Sequence, residues 1–428
     1  MEKPYISIVA IARNEEAVVE RYINSIREHL GPKVEIVIVD TGSTDKTVEI
    51  ARRLGAKVYE EGEKFAHAVT EEEERFINSK FNDNVVKKNQ RLFFYSDARN
   101  CADSYATGEW LISIDLHWVV TEGKNLEKKL RSLPANVTNC SYKVTLAHSG
   151  VYSTLFSTTR IYRRAHGKWC FRIHEVYSAM SGVNLGITEL TASKVSGRPN
   201  NYLPHLAYHY YFGKYPIDSP EYARMLYYFA REIYYNRDKY STFALELLNK
   251  CAHNKVNWCK ERSQAAVFIS EIVEADEEKR VNLIKAIALN PIWREPYLRL
   301  ADIAYKQCDW AGCIGYAEQA LKIEKQEGAV HAEVSRNYTT EPYRLIYVAL
   351  IQMARICRIN RYYERAIENV EKALEIESKT GCENNVFVNL WREAFRCYKL
   401  KDDKVEAQKM FIKCRDAFPD TYKSEKDI

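Results

Sequence analysis

Three polar clusters stand where apolar runs of the chain end. Asn14-Glu15 follows the run Tyr5 to Ile11, Asp40-Thr41-Gly42-Ser43-Thr44-Asp45 follows Val34 to Val39, and Asp115-Leu116-His117 closes Glu109 to Ile114. Carboxylates placed at strand ends, such as Glu15 and Asp40, can accept from a base N–H or a ribose hydroxyl. Gly42 permits a tight turn and Ser43 or Thr44 can cap the helix that follows. Asp115 and His117, two apart on an extended segment, offer a hard oxygen and an imidazole that can both reach a divalent cation. Taken alone, the Asp40 to Asp45 run reads first as a plain turn and N-cap.

The elements that must position these clusters alternate along the chain. A strand (Tyr5 to Ile11), an amphipathic stretch (Glu15 to Leu30), a second strand (Val34 to Val39) and a helix to Leu54 make a parallel βαβ beginning. A helix over Asp97 to Ala106 and a strand over Glu109 to Asp115 add another unit. In an open parallel sheet, ligands collect outside the carboxyl ends of the strands, where all three clusters lie. The charged stretch Glu60 to Arg91 shows no core periodicity and reads as a surface insertion, partly helical around Glu71 to Phe76.

Beyond His209 the spacing becomes helical. Arg299 to Trp310 followed by Ala317 to Leu321 reads as a tetratricopeptide repeat, with the small residues Ala301, Cys313 and Ala320 where two helices must approach closely. The spacing recurs at Ala354, Ala366 and Ala373, more loosely at Ala407, Cys414 and Pro419, and an earlier copy ends at Ala286 and Pro291. Such repeats serve as a peptide-binding surface, as a homodimer contact, or as a support for the enzyme domain. The tyrosine-rich stretch Tyr208 to Tyr235 reads as core between the two parts.

Composition narrows the classes. With 428 residues the chain exceeds one ordinary domain, and 46% hydrophobic with 28% charged residues suits compact folding throughout. A net charge of +5 with interleaved signs makes no basic stripe, so nucleic acid as a partner is unsupported. Eleven scattered cysteines without a CxxC pair point to reduced, buried thiols. No apolar run is long enough to span a membrane and no secretory signal is visible, so a cytoplasmic location is expected.

In order and spacing the clusters resemble family 2 glycosyltransferases of the GT-A fold. The resemblance rests on Ile8-Val9-Ala10-Ile11-Ala12-Arg13-Asn14-Glu15, on Ile36-Val37-Ile38-Val39-Asp40 with its Gly42-Ser43-Thr44-Asp45 turn, on Asp97-Ala98-Arg99-Asn100, and on Ala106 to Asp115. It covers about the first 215 residues. The fold it implies is an α/β, Rossmann-like GT-A domain over 1–215, with the charged insertion at about 60–91, followed by an all-α tetratricopeptide-like helical repeat domain over 216–428.

The resemblance also implies roles. Asn14, Glu15, Asp40, Ser43, Asp45, Arg99 and Asp115 would hold a nucleotide-sugar, with a UDP-sugar first. The family's Asp-x-Asp stands here as Asp115-Leu116-His117. The polypeptide N-acetylgalactosaminyltransferases are similar in using Asp-x-His, which implies Mn²⁺, or Mg²⁺, held by Asp115, His117 and His209. Trp169 to Glu175 resembles the segment that carries an acid near the acceptor, so Glu175 would be the base of an inverting transfer and His174 would orient it or contact phosphate. Arg160, Arg163 and Arg164 read as a solvated strand end. The combination with helical repeats resembles bacterial peptide glycosyltransferases, which implies a polypeptide hydroxyl or thiol as acceptor. Other acceptors are a cytosolic glycan and a hydroxymethylated DNA base, and a repeat scaffold with a decayed transferase domain is the non-enzymatic alternative.

Overall fold

The structure, a computed structural model, describes residues 3–148, 151–194, 201–324, 335–380 and 384–428. It divides after Leu247 into two compact units.

The first unit opens as β1 (Ile6–Ala12), α1 (Glu16–Leu30), β2 (Glu35–Asp40), α2 (Thr47–Arg53) and β3 (Lys57–Glu60). There follow β4 (Ala66–Ala68), α3 (Glu71–Phe81), β5 (Arg91–Phe93), α4 (Tyr95–Tyr105) and β6 (Trp110–Ser113). Next come β7 (Trp118–Glu122), α5 (Leu126–Arg131), β8 (Val137–His148), β9 (Val151–Arg163), β10 (Gly167–Cys170), β11 (Val176–Ala179) and β12 (Val183–Lys194). Helices α6 (Leu203–Phe212), α7 (Pro220–Tyr235) and the first part of α8 (Arg237–His253) complete the unit. Helix α7 thus lies in the first unit, beyond the boundary expected at 215.

The main sheet has the order β3-β2-β1-β6-β9-β8-β12-β7. Strands β1, β2, β3 and β6 run parallel, and β9 returns antiparallel beside β6. Strands β1 and β2 are buried almost throughout, which is why they read as unbroken apolar runs. The mixed half, β9, β8, β12 and β7, escaped sequence reading because its strands alternate polar and apolar residues with few turn signals between them, and β10 and β11 pair as a separate two-stranded sheet. At the amino end of the sheet the chain passes very close to itself. A Cβ on Gly108 would lie 2.6 Å from Ser7 Oγ and 2.7 Å from Ser7 N, so only glycine fits there.

The insertion is more ordered than its charge suggests. Strands β4 and β5 pair antiparallel, and α3 starts with a capping box between Thr70 and Glu73. Ile77, Phe81 and Val86 are buried, and Phe81 meets Phe229 and Phe243 edge-on. The four glutamates that open α3 hid an apolar stripe at helical spacing.

The second unit is helical. Helices α9 (Cys259–Ile272), α10 (Asp276–Leu289), α11 (Arg294–Lys306), α12 (Trp310–Leu321), α13 (Glu341–Ile359), α14 (Tyr363–Thr380), α15 (Asn384–Leu400) and α16 (Lys404–Ala417) pack in consecutive pairs. Ala286, Ala301, Cys313, Ala317, Ala320, Ala354, Ala366, Ala373 and Cys414 are completely buried. Small side chains are what allow paired helices to approach this closely. All cysteines among the described residues are free thiols. No helix among the described residues is long and apolar enough to cross a membrane.

Candidate active site

The loops after β1 and β2 are tied together by their own polar groups. Asn14, in the left-handed region at φ 53°, donates its N–H to Ser43 Oγ at 2.9 Å, and its Oδ1 accepts from Thr44 N at 2.8 Å. Glu15 N donates to Thr47 Oγ1 at 2.7 Å, and Thr41 N donates to Ala12 O at 2.9 Å. Buried Asp40 accepts from Gly42 N at 3.1 Å and Ser43 N at 3.0 Å, a turn that Gly42 closes at φ 98°. Asp45 accepts from Thr47 N at 3.0 Å and Glu16 N at 3.2 Å. Burial raises the Asp45 carboxyl, but hydrogen bonds from the Thr47 hydroxyl first and then from these N–H groups outweigh it and leave its pKa below the ordinary value. The structure therefore brings Asn14, Glu15, Asp40, Ser43 and Asp45 together at one rim of the sheet, with Asp40 and Asp45 shaping the loops.

The carboxyl end of β6 is braced separately. Tyr22 Oη donates to Ile114 O at 3.1 Å and Tyr142 Oη to Ser113 O at 3.3 Å, both from buried rings. Asp115 follows directly and meets two guanidiniums. Arg99, from α4, donates from Nη2 to Asp115 Oδ1 at 2.7 Å, from Nη1 to Ser113 Oγ at 2.8 Å and from Nε to Glu175 Oε1 at 2.9 Å. Arg160, from β9, donates from Nη1 to Asp115 Oδ2 at 2.9 Å, and its Nη2 lies 3.9 Å from Glu175 Oε1. Burial pushes the Asp115 carboxyl up, yet Arg160, Arg99 and His117 together hold it far below the usual carboxylate range. Burial also opposes the charge of Arg99, and Asp115 and Glu175 more than offset it, so its pKa lies above the ordinary value.

Arg160 corrects the reading of a solvated strand end. The antiparallel register Trp110↔Arg163, Leu111↔Tyr162, Ile112↔Ile161 carries Arg160 to the carboxyl end of β6. Against β8 the register shifts at this point, from Cys140↔Ile161 to Ser141↔Thr159, so Arg160 falls at an irregularity that simple alternation does not place. Two residues on, the buried hydroxyl of Tyr162 donates to Asp103 at 2.8 Å and accepts from Trp169 Nε1 at 3.0 Å. Asp103 was likewise missed. Its burial raises its carboxyl to about 7, although hydrogen bonds from Tyr162 and Trp169 oppose the rise.

The two histidines proposed from the resemblance sit elsewhere. His174, at φ 53°, stacks on Tyr228 with ring centroids 4.0 Å apart, and its backbone oxygen accepts from Arg224 at 3.1 Å. Burial, then Arg231 and Arg224, bring its imidazole down to about 3, so it is neutral and packed, with no hydrogen bond to Glu175. His209 lines a separate cavity of about 660 Å³ with Asp97, Arg172, Tyr208, Phe212 and Tyr215. Neither Asp115 nor Glu175 borders that cavity. Burial, then Arg172, His205 and His67, lower His209 to about 3.

Among the described residues no three His, Cys, Asp or Glu side chains group to hold a metal ion. His117 is close enough to Asp115 to act on its charge, but His209 is not part of that cluster. Both Asp115 oxygens already accept from guanidiniums. The residues as arranged do not fit a cation held jointly by Asp115, His117 and His209.

Comparison with known proteins agrees with the architecture. Residues 7–181 match the family model described as glycosyl transferase family 2. A glycosyltransferase of Rickettsia bellii is 51% identical over 53 residues, which is 12% of this chain and 17% of that protein. The 4,4'-diaponeurosporenoate glycosyltransferase of Staphylococcus haemolyticus is 43% identical over 54 residues, 13% of this chain and 14% of that one. The chain thus spans less than a fifth of the length of these curated relatives. Among solved structures, S. aureus TarS in complex with UDP-GlcNAc is similar at 17% identity and a TM-score of 0.32, covering 72% of this chain and 92% of that one. The parallel strands β1, β2, β3 and β6 and the clusters at their carboxyl ends belong to the part of the chain, residues 7–181, that matches the glycosyl transferase family 2 model.

Proposed function

We propose that the chain is an inverting glycosyltransferase that moves a sugar from a nucleotide-sugar, UDP-linked in the first instance, to a hydroxyl or thiol of a polypeptide. The observation that carries this reading is the single guanidinium of Arg99 joining Asp115 at 2.7 Å and Glu175 at 2.9 Å. It sets a carboxylate at the end of β6 beside a second carboxylate from the 171–175 segment, and this pairing supports a transfer site there.

In this reading the nucleoside lies against the Asn14 to Asp45 rim, where Glu15 and Asp40 are the nearest acidic side chains in sequence to the two strand ends. Glu175 takes the acceptor proton as the new bond forms on the sugar, and the leaving group departs as the nucleoside diphosphate. Arg99 holds Glu175 in place, and the guanidiniums offset charge that grows on the leaving oxygen. No step is assigned to a divalent cation, because Asp115 is engaged by Arg99 and Arg160. The helical repeats support a polypeptide acceptor by offering a second unit of paired helices.

Nucleotide-sugars screened for hydrolysis by the purified chain, with and without Mn²⁺, test the donor. Turnover of a UDP-sugar that disappears in Glu175→Gln is expected. A folded protein that turns over no nucleotide-sugar would overturn the reading.

A further inference from the structure

The two guanidiniums around Asp115 are unequal. Arg99 has each of its three nitrogens engaged by an acceptor, and its side chain is only 6% exposed. Arg160 is less fully engaged. Its Nη1 is spent on Asp115 Oδ2, its Nη2 stands 3.9 Å from Glu175, beyond hydrogen-bond range, and its Nε has no acceptor among the described residues. At 15% its side chain keeps more contact with solvent than that of Arg99.

The neighbours of Arg160 fix how it can act. Its guanidinium carbon lies over two indoles, 5.0 Å from the Trp118 ring and 5.8 Å from the Trp169 ring, which hold the cation in place. A flat cation held this way suits a tetrahedral anion, which it can grip with two parallel N–H groups.

Charge balance gives that edge a purpose. Arg99 and Arg160 match Asp115 and Glu175, so the cluster is neutral as it stands. A nucleoside diphosphate brings further negative charge to the same strand ends, and it needs donors that are not already used. Arg99, with every nitrogen engaged, is the less exposed of the two. Resting on the donor reading given above, we infer that Arg160 is the diphosphate-binding residue of this site, and that its unused Nη2 and Nε edge meets the phosphate oxygens. The same engagement draws Nη2 away from Glu175. Glu175 then keeps Arg99 alone, so donor binding frees one side of the base.

The test compares UDP with uridine on the full chain, with Mn²⁺ present throughout so that cation-bridged binding is also seen. UDP affinity is measured by calorimetry, uridine by ligand-observed NMR, and the fold by circular dichroism melts. In Arg160→Ala we expect UDP to bind roughly ten- to a hundredfold more weakly while uridine holds, as loss of a charge-assisted phosphate contact requires. Arg160→Lys should recover part of the loss, since it keeps the charge without the fork. An unchanged UDP affinity, or a parallel fall for UDP and uridine, overturns the assignment while leaving the donor reading intact. A folded wild-type chain that binds no UDP overturns both.

Discussion

Arg99 and Glu175 are joined by a 2.9 Å hydrogen bond between a helix of the parallel half of the sheet and the segment leading into β11. The bond makes Arg99 a brace as well as a neighbour of the chemistry, and it leads to the first prediction.

Truncating Arg99 to Ala should destabilise the fold by about 3–5 kcal/mol, because Asp115 and Glu175 would each lose a buried partner. Arg99→Lys should recover little, as one ammonium cannot reach Ser113, Asp115 and Glu175 together. Urea denaturation checks both variants, and a wild-type midpoint in either one contradicts the bracing role.

Glu175→Gln keeps the shape and an acceptor oxygen for Arg99 but removes the base. Donor turnover should fall by about 10²–10⁴-fold with UDP affinity nearly unchanged. Steady-state hydrolysis and calorimetry on the same preparation separate the two quantities. A matching loss of UDP binding would place Glu175 in donor recognition instead.

Asp103 gives a pH signature. Its carboxyl is raised in the fold to about 7 from an ordinary value of 3.8, so between these the native state binds more protons than the unfolded one. Stability from this group is full below pH 4 and lost as pH rises through about 7. Asp103→Asn, which keeps an acceptor for Tyr162, should therefore gain on wild type as pH increases from about 4 to 7, by a few kcal/mol at most. Melting curves of the two proteins at several pH values give the difference. A constant offset across that range would show that Asp103 is charged in the fold.

His209 has the opposite sign. Its folded value of about 3 lies below the ordinary 6.5, so the unfolded state takes up the proton first and stability drains as pH falls from 6.5. The slope is at most about 1.4 kcal/mol per pH unit for this residue. His209→Phe should flatten that part of the acid limb relative to wild type, read from denaturant midpoints between pH 6.5 and 5. An unaltered slope would mean that the imidazole can pick up a proton inside the fold.

Thr70 is the cap of α3, and Thr70→Ala should cost about 1 kcal/mol of local stability. Amide exchange over residues 71–81 should speed up while β1 and β2 keep their protection. Uniform acceleration would instead tie the insertion to global unfolding.

The legible parts of the molecule were those where one physical demand set the sequence. Strands buried on both faces read as apolar runs, so β1, β2 and the approach to Asp115 were visible, as were the alanines between paired helices. Arg99 entered the site list from its place in the resembling motif, but its contact with Glu175 crosses 76 residues and no local pattern carries that. Arg160 was hidden because an arginine near two others, Arg163 and Arg164, has the composition of a wet strand end. Its burial depends on Trp118 and Trp169, which come from distant segments. His209 was placed by analogy on the wrong neighbours. It belongs to the cavity at the end of α6, and only the tertiary path of the chain decides that.

The bonds that cross between the β1 and β2 loops carry a last consequence. Asn14 and Ser43 hold each other, Thr44 holds Asn14, and Thr47 holds Glu15 without any ligand. The rim is thus set in its shape when the domain folds, and a nucleoside arriving there has little chain left to immobilise. The entropy of ordering those loops is charged to folding, so more of the contact energy made with the base and ribose remains as affinity.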